Sequence, residues 1–372
     1  MEPGDRAAPP RQELRQRLAE NINGLPRPVS TVGTLNLGNR TKLGHILTAP
    51  SKLSLTDGRD AFLGLIYDFQ MRTYGMTRQE RGNINAWMID LSSVEEITLD
   101  AALVLTAEYH RQLIQTGYKP RIEDAKWNPK VRGLLHQLGF YSLVSAASSS
   151  NPDEPDLDED LSFVPFKVGS KVAPVVAREL HTALTQAAGQ EPEKAYVIAS
   201  LVETTKNVRH HAYEGANRPD RPPAVGLWWA AGSYEPRTRM LQFAVYDQGV
   251  GIPETLPRRP FYQSVLRFCS PERTDADLIA GALRLGRTRY RSKRGLSTAV
   301  DESARGSGLW SLCEFIPRGG GSSVEITSGR GKVRYAGGRA VEKTHFKNPF
   351  CGTLILWNLQ LPICGPNVEA VL

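Results

Sequence analysis

The sequence predicts an α+β protein: an N-terminal α/β module of residues 31–150, then a C-terminal two-layer α/β sandwich of residues 161–372. Three observations carry this. In 161–372 two long helical patterns come first and strand-like runs follow them, the order of helices packed on a mostly antiparallel sheet. In 31–150 strand-like and helical patterns alternate, which implies a sheet covered by helices. Between them, the prolines and carboxylates of NPDEPDLDED, Asn151–Asp160, read as a linker.

A chain of 372 residues has room for about two domains, each with its own core. With 40% hydrophobic and 23% charged residues it is neither wholly disordered nor collagen-like. The longest apolar runs, such as Ala101–Ala107, stop well short of the roughly 20 residues a bilayer requires, so no membrane partner is expected. The opening MEPGDRAAPPRQELRQRLAE has no apolar stretch of the secretory kind, and a cytoplasmic location is expected. Residues 1–30, rich in Pro, Arg and Gln, read as a disordered tail. Cys269, Cys313, Cys351 and Cys364 form no C-x-x-C pair and read as reduced structural thiols. The net charge of +7 points only weakly to nucleic acid or lipid until its location is known.

In the first module, AFLGLIYDFQMRTYG has helical spacing and NAWMIDL, Asn85–Leu91, has strand alternation. LDAALVLTAEYHRQLIQTGY reads as a helix closed by Gly117, with Thr98 as its N-cap. A short strand KPRIED and a helix NPKVRGLLHQLGF follow. In the second module, helices are expected at 171–188 and 193–213, and strands at 224–231 and 240–247. A long Arg-rich segment, a short helix from Gly308 and the strand runs VEITS, KVRYA and GTLILWNLQLP complete it.

The chemistry-bearing stretch is LVETTKNVRHHAY, where Glu203, Asn207 and His211 recur every four residues and share one side of a helix. Alone, such a stripe is equally a solvated face. About 35 residues on, an alternating strand ends at Asp247 and enters Gly249 and Gly251, which let backbone approach a flat ligand closely. Gly306 and Gly308 then stand directly before a helix, where free backbone N–H groups suit phosphate. Neither a G-x-G-x-x-G fingerprint nor a G-x-x-x-x-G-K-[ST] loop occurs. His210 and His211, being adjacent, cannot form the i, i+4 pair of a zinc site, and of Trp228 and Trp229 one is expected in the core.

In this order the segments resemble the histidine-kinase-like (GHKL) ATPase superfamily, over roughly 170–362. Glu203, Asn207, His211 and Ala212 fall on its N box, closest to the anti-sigma serine kinases. Asp247, Gly249 and Gly251 fall on the first glycine box, Gly306 and Gly308 on the second, and Gly352 and Thr353 on a closing G-T. The resemblance implies the Bergerat fold with ATP and Mg²⁺ as cofactors. It assigns Asn207 to the metal, Glu203 to the catalytic base, Asp247 with Thr353 to the adenine amino group, and Gly249 and Gly251 to the faces of the base. The lid of this superfamily would be the basic RLGRTRYRSKRG, with Arg284, Arg287, Arg289, Arg291, Lys293 and Arg294. An arginine there could meet the γ-phosphate or the segment could grip nucleic acid, which is not favoured; most of these side chains are expected in solvent.

The first module resembles a STAS domain, through the strand into DLSSV, the helix after it and the closing L-x-x-L-G-F. Where anti-anti-sigma factors carry D-S-S-G, this chain has Thr98, Leu99, Asp100 and Ala101, so phosphorylation at that site is unsupported. The combined expectation is a Mg-ATP-binding regulatory protein that transfers the γ-phosphoryl group to water or to a partner Ser/Thr. Its STAS-like module would bind a protein partner, and a homodimer is compatible with it. The rival is a non-catalytic module that uses ATP to close its lid on a protein or nucleic acid.

Overall fold

The computed structural model describes residues 30–37, 40–74, 88–117, 119, 121–148, 161–172, 174–216, 221–294, 309, 313, 321–337 and 339–362. The expected tail up to residue 29, the acidic linker, Cys364 and the second glycine box with Gly306 and Gly308 lie outside them. The chain is a mixed α+β structure.

The first module begins with strands β1 (Ser30–Leu37), β2 (Arg40–Thr48) and β3 (Lys52–Leu53) and helix α1 (Arg59–Tyr74). Strands β4 (Met88–Asp90) and β5 (Glu96–Ile97) and helix α2 (Leu99–Thr116) follow, then β6 (Arg121–Ile122), α3 (Pro129–Gln137), α4 (Phe140–Leu143) and β7 (Ala147–Ser148). β2 pairs antiparallel with β1 and parallel with β4, while β3 pairs with β5 and β6 with β7 in parallel. Every residue from Ala101 to Tyr109 is buried, so α2 is the central helix of this half and has no solvent face along that stretch. As expected, Gly117 closes it in the left-handed region, its N–H donating to Leu113 O at 2.8 Å. Thr98 holds the expected N-cap position with extended backbone, but its side chain makes no capping bond. Its hydroxyl donates to Asp100 Oδ1 and to Leu53 O instead of capping the helix, and Asp100 Oδ1 accepts the Ala101 N–H at 3.0 Å.

The second half contains β8 (Ser162–Gly169), α5 (Pro174–Ala188) and α6 (Lys194–Asn207), which continues as a π-helical turn, Val208–Ala212. Next come β9 (Trp228–Glu235), β10 (Met240–Asp247), α7 (Ile252–Thr255), α8 (Tyr262–Leu266) and α9 (Asp275–Arg294), then β11 (Ser323–Ala336) and β12 (Arg339–Gln360). The five strands form one antiparallel sheet in the order β11-β12-β10-β9-β8. The strand expected at 224–231 begins at Trp228, because the ladder with β10 sets its register, and VEITS and KVRYA join into one strand bulged at Ser328–Gly331. The basic segment assigned to a lid belongs, up to Arg294, to helix α9. A reciprocal capping box starts that helix: Asp277 accepts from Thr274 N at 3.2 Å, and Thr274 Oγ1 accepts from Asp277 N at 3.2 Å.

Strand alternation sends side chains to two different cores. Trp228, Ala230, Leu241, Phe243, Val245, Ile355 and Trp357 face α5, α6 and α9. Trp229, Ala231, Ala244, Tyr246, Leu354 and Leu356 face the other way and merge with the core built on α1 and α2. Both tryptophans are therefore core residues, one on each face. The sheet is the middle of three layers rather than one of two, because its second face is apolar and the helices of the first module cover it.

Candidate functional site

Helix α6 is held to the sheet by Tyr196, Val197, Leu201 and, just past its end, Val208. Glu203 and Asn207 stay half-buried on it. Glu203 lies 3.7 Å from Lys206, a contact within one turn. The Asn207 side chain makes no hydrogen bond among the described residues, so both its donor and acceptor are available. His211 sits in the π turn, where its Nδ1 is 2.9 Å from Arg259 Nη2. Arg is always a donor, so Nδ1 accepts and the ring is neutral in this arrangement. Burial, followed by the Arg259 charge, lowers the His211 pKa. His210, beside it, is exposed.

Asp247 ends β10 between Trp228 on one neighbouring strand and Thr353 on the other. It is only 6% exposed, and its Oδ1 accepts the Gly249 N–H at 2.8 Å. Burial pushes its pKa up to about 7, although the backbone N–H groups of Gly249 and Thr353 pull it back. No Lys or Arg among the described residues forms an ion pair with it. A carboxylate that is buried yet held only by main-chain donors retains acceptor capacity for a ligand's N–H.

The loop after Asp247 is locked to the π turn at the end of α6. Val250 N donates to Ala212 O at 2.8 Å, and a Cβ on Gly249 would stand 2.2 Å from that same oxygen. Gly249 is thus required for the contact between α6 and the loop. Gly352 has φ +93°, and a Cβ there would stand 1.8 Å from Asp247 O, which only glycine permits. Gly251 precedes the short α7. Thr353 therefore lies beside Asp247, and Gly249 beside Ala212, so the end of α6, the 247–251 loop and Gly352–Thr353 converge on one place.

Two residues of this cluster were not visible in the sequence. Ser328 Oγ accepts the Ile252 N–H at 2.9 Å, donates to Gly352 O at 2.8 Å and lies 3.3 Å from Thr353 Oγ1. In sequence it is only the end of a strand run. Arg259 holds His211 across 48 positions and also pairs with Glu214 at 3.4 Å. No local pattern announces either.

Of the cations in the basic segment, Arg284 is exposed, with its guanidinium 4.9 Å from the Phe268 ring centroid. The backbone at Arg287, Arg289, Arg291, Lys293 and Arg294 belongs to α9. No group of three or more His, Cys, Asp or Glu that could hold a metal occurs among the described residues. Cys269, Cys313 and Cys351 are free thiols. No helix among the described residues is long and apolar enough to cross a membrane. Compared with models of known protein families and with curated proteins, the chain matches none.

Proposed function

We propose that this protein binds Mg-ATP at the junction of α6, the 247–251 loop and the Gly352–Thr353 strand, and transfers the γ-phosphoryl group to water or to a partner's Ser/Thr. The observation that carries the reading is Asp247: a buried carboxylate with a pKa near 7, served only by main-chain N–H groups, packed next to the end of a helix whose Asn207 has no partner among the described residues. Three motifs that resemble those of GHKL ATPases thus meet in space.

In this reading Asp247 accepts the adenine amino group, and Thr353 supports it from the adjacent strand. The side-chain oxygen of Asn207 suits Mg²⁺, a hard cation that takes few protein ligands and keeps waters and phosphate oxygens for the rest. The metal would neutralise charge on the transferring phosphate. Glu203, one turn before Asn207, would accept the proton of the attacking hydroxyl. Arg259 keeps His211 neutral, so the N-box histidine acts as a hydrogen-bonding and packing group instead of a second cation.

Calorimetry with Mg-ATP and Mg-ADP on the full chain tests the reading. Wild type binds, Asp247→Asn and Asn207→Ala bind weakly, and Glu203→Ala binds but neither releases phosphate nor labels a protein from γ-labelled ATP. Absence of binding by folded wild type overturns it. Binding without phosphate release or transfer by wild type turns it into a nucleotide-gated binding module.

A further inference from the structure

Two of the most deeply buried charged groups among the described residues stand on α2 of the first module and reach across to the sheet of the second. Glu108 and Arg111 on α2 are both 0% exposed and form an ion pair one turn apart. Glu108 Oε1 accepts from Gln70 Nε2 on α1 at 3.0 Å and, across the module boundary, from Gln248 Nε2 at 3.0 Å and Tyr246 OH at 3.3 Å. Tyr246 OH also lies 2.9 Å from Cys351 O, and Arg111 Nη1 lies 3.9 Å from Cys351 Sγ. The Arg111 guanidinium stacks 5.3 Å from the Tyr74 ring centroid.

The positions contacted are informative. Tyr246 and Gln248 flank Asp247 in sequence, and Cys351 lies two residues before Thr353. Strand alternation separates Asp247, the last residue of the central strand β10, from Tyr246 before it, which faces the layer of α2, and Gln248 just after the strand reaches the same layer. The Gln248 backbone completes the link, its N–H donating to Tyr213 OH at 3.1 Å just beyond the N box. Removing a buried ion pair from water costs several kcal/mol per ion, so pure packing would be better served by apolar residues. Two atoms of the cluster, Gln248 Oε1 and Arg111 Nε, are buried with no hydrogen-bond partner, so the network is not optimised for stability alone.

We propose that Glu108, with Arg111, is a positioning device for the candidate nucleotide site: it fixes the backbone on both sides of Asp247 and ties nucleotide binding to the N-terminal module through α2. The inference rests on the Mg-ATP reading of the site. It makes the first module part of the floor of that site, so whatever binds or shifts α1 and α2 changes nucleotide affinity, and nucleotide changes α2 by the same coupling.

The test uses the full chain as wild type, Gln248→Met and Gln70→Leu, which leave the Glu108–Arg111 pair intact. Thermal melts confirm folding, calorimetry measures Mg-ADP and Mg-ATP affinity, and hydrogen exchange follows the amides of α2 with and without Mg-ADP. Gln248→Met is expected to weaken both nucleotides about three- to tenfold, the range for one hydrogen bond to a buried charged group when part of its effect reaches the ligand. Gln70→Leu, on the far module, is expected to weaken them about threefold. Nucleotide should slow exchange in α2 of wild type and fail to do so in Gln248→Met. If wild type binds but both variants bind equally well, or α2 exchange in wild type ignores nucleotide, the positioning role is overturned and the site reading survives. If folded wild type binds no adenine nucleotide, the site reading itself fails and takes this inference with it.

Discussion

Replacing Asp247 by Asn is expected to make the protein more stable and its nucleotide site worse. The carboxyl's pKa rises from 3.8 to about 7 because burial penalises its charge. At about 1.4 kcal/mol per pH unit, that gap sets a ceiling of about 4 kcal/mol on the folding cost of keeping the group ionised. The sign follows from linkage. Below pH 3.8 the acid is neutral in both states and costs nothing. Between 3.8 and 7 the folded state holds a proton that the unfolded state has lost, so the cost grows with pH; above 7 it is constant. Asn keeps an oxygen for the Gly249 N–H, which is 2.8 Å from the present carboxylate, and carries no charge. Urea unfolding of both proteins at pH 5, 6, 7 and 8 should therefore show Asp247→Asn ahead by roughly 1–3 kcal/mol at pH 8, with the lead shrinking towards pH 5. In the same samples ADP affinity at pH 8 should fall roughly ten- to a hundredfold, since an amide N–H would face the adenine amino group where an anionic acceptor stood. A lead that is absent, or equal at every pH, refutes the account of Asp247 as a carboxylate burdened by burial.

Other expectations are as direct. In wild type, ADP affinity measured by calorimetry should weaken about tenfold per pH unit below pH 7, as the acceptor carboxylate protonates. Gly352→Ala places a methyl against Asp247 O at positive φ and should cost about 3 kcal/mol or more in urea unfolding; a cost under about 1 kcal/mol would contradict the contact. Arg111→Leu strands the buried Glu108 charge and should cost about 3–5 kcal/mol, whereas the double change Glu108→Leu with Arg111→Leu should recover much of it, a comparison made by thermal and urea melts. Burial alone would raise the Asp277 pKa, but Lys343, Ser270 and Thr274 outweigh it and hold the carboxyl below its usual range. Its stabilisation is therefore present above about pH 4 and lost as pH falls below, so Asp277→Asn should cost about 1–2 kcal/mol at pH 7 and little in strong acid.

The local patterns along the chain place α1, α2, α5 and α6, the Gly117 cap, and the glycines at 249 and 352 where backbone approaches closely. Each depends on one segment's own periodicity or on a residue type with unusual backbone freedom. Helix α9 was missed because its basic end hides the apolar stripe of Leu278, Ile279, Ala282 and Leu283 that packs it. The strand expected at 224–231 runs over Trp228–Glu235 instead, because VGLWWAA is apolar on both faces and alternation marks no start until β10 pairs with it.

What no single segment could state is which distant groups touch. That Gly249 must be glycine because of Ala212, that Ser328 ties Ile252 to Gly352, and that Glu108 reaches Gln248 across 140 positions all depend on strand pairing and on a second apolar sheet face that needed cover. Periodicity and caps report the environment of a stretch of chain. Contacts between stretches are set by how both faces of the sheet leave water, a property of the whole packed arrangement.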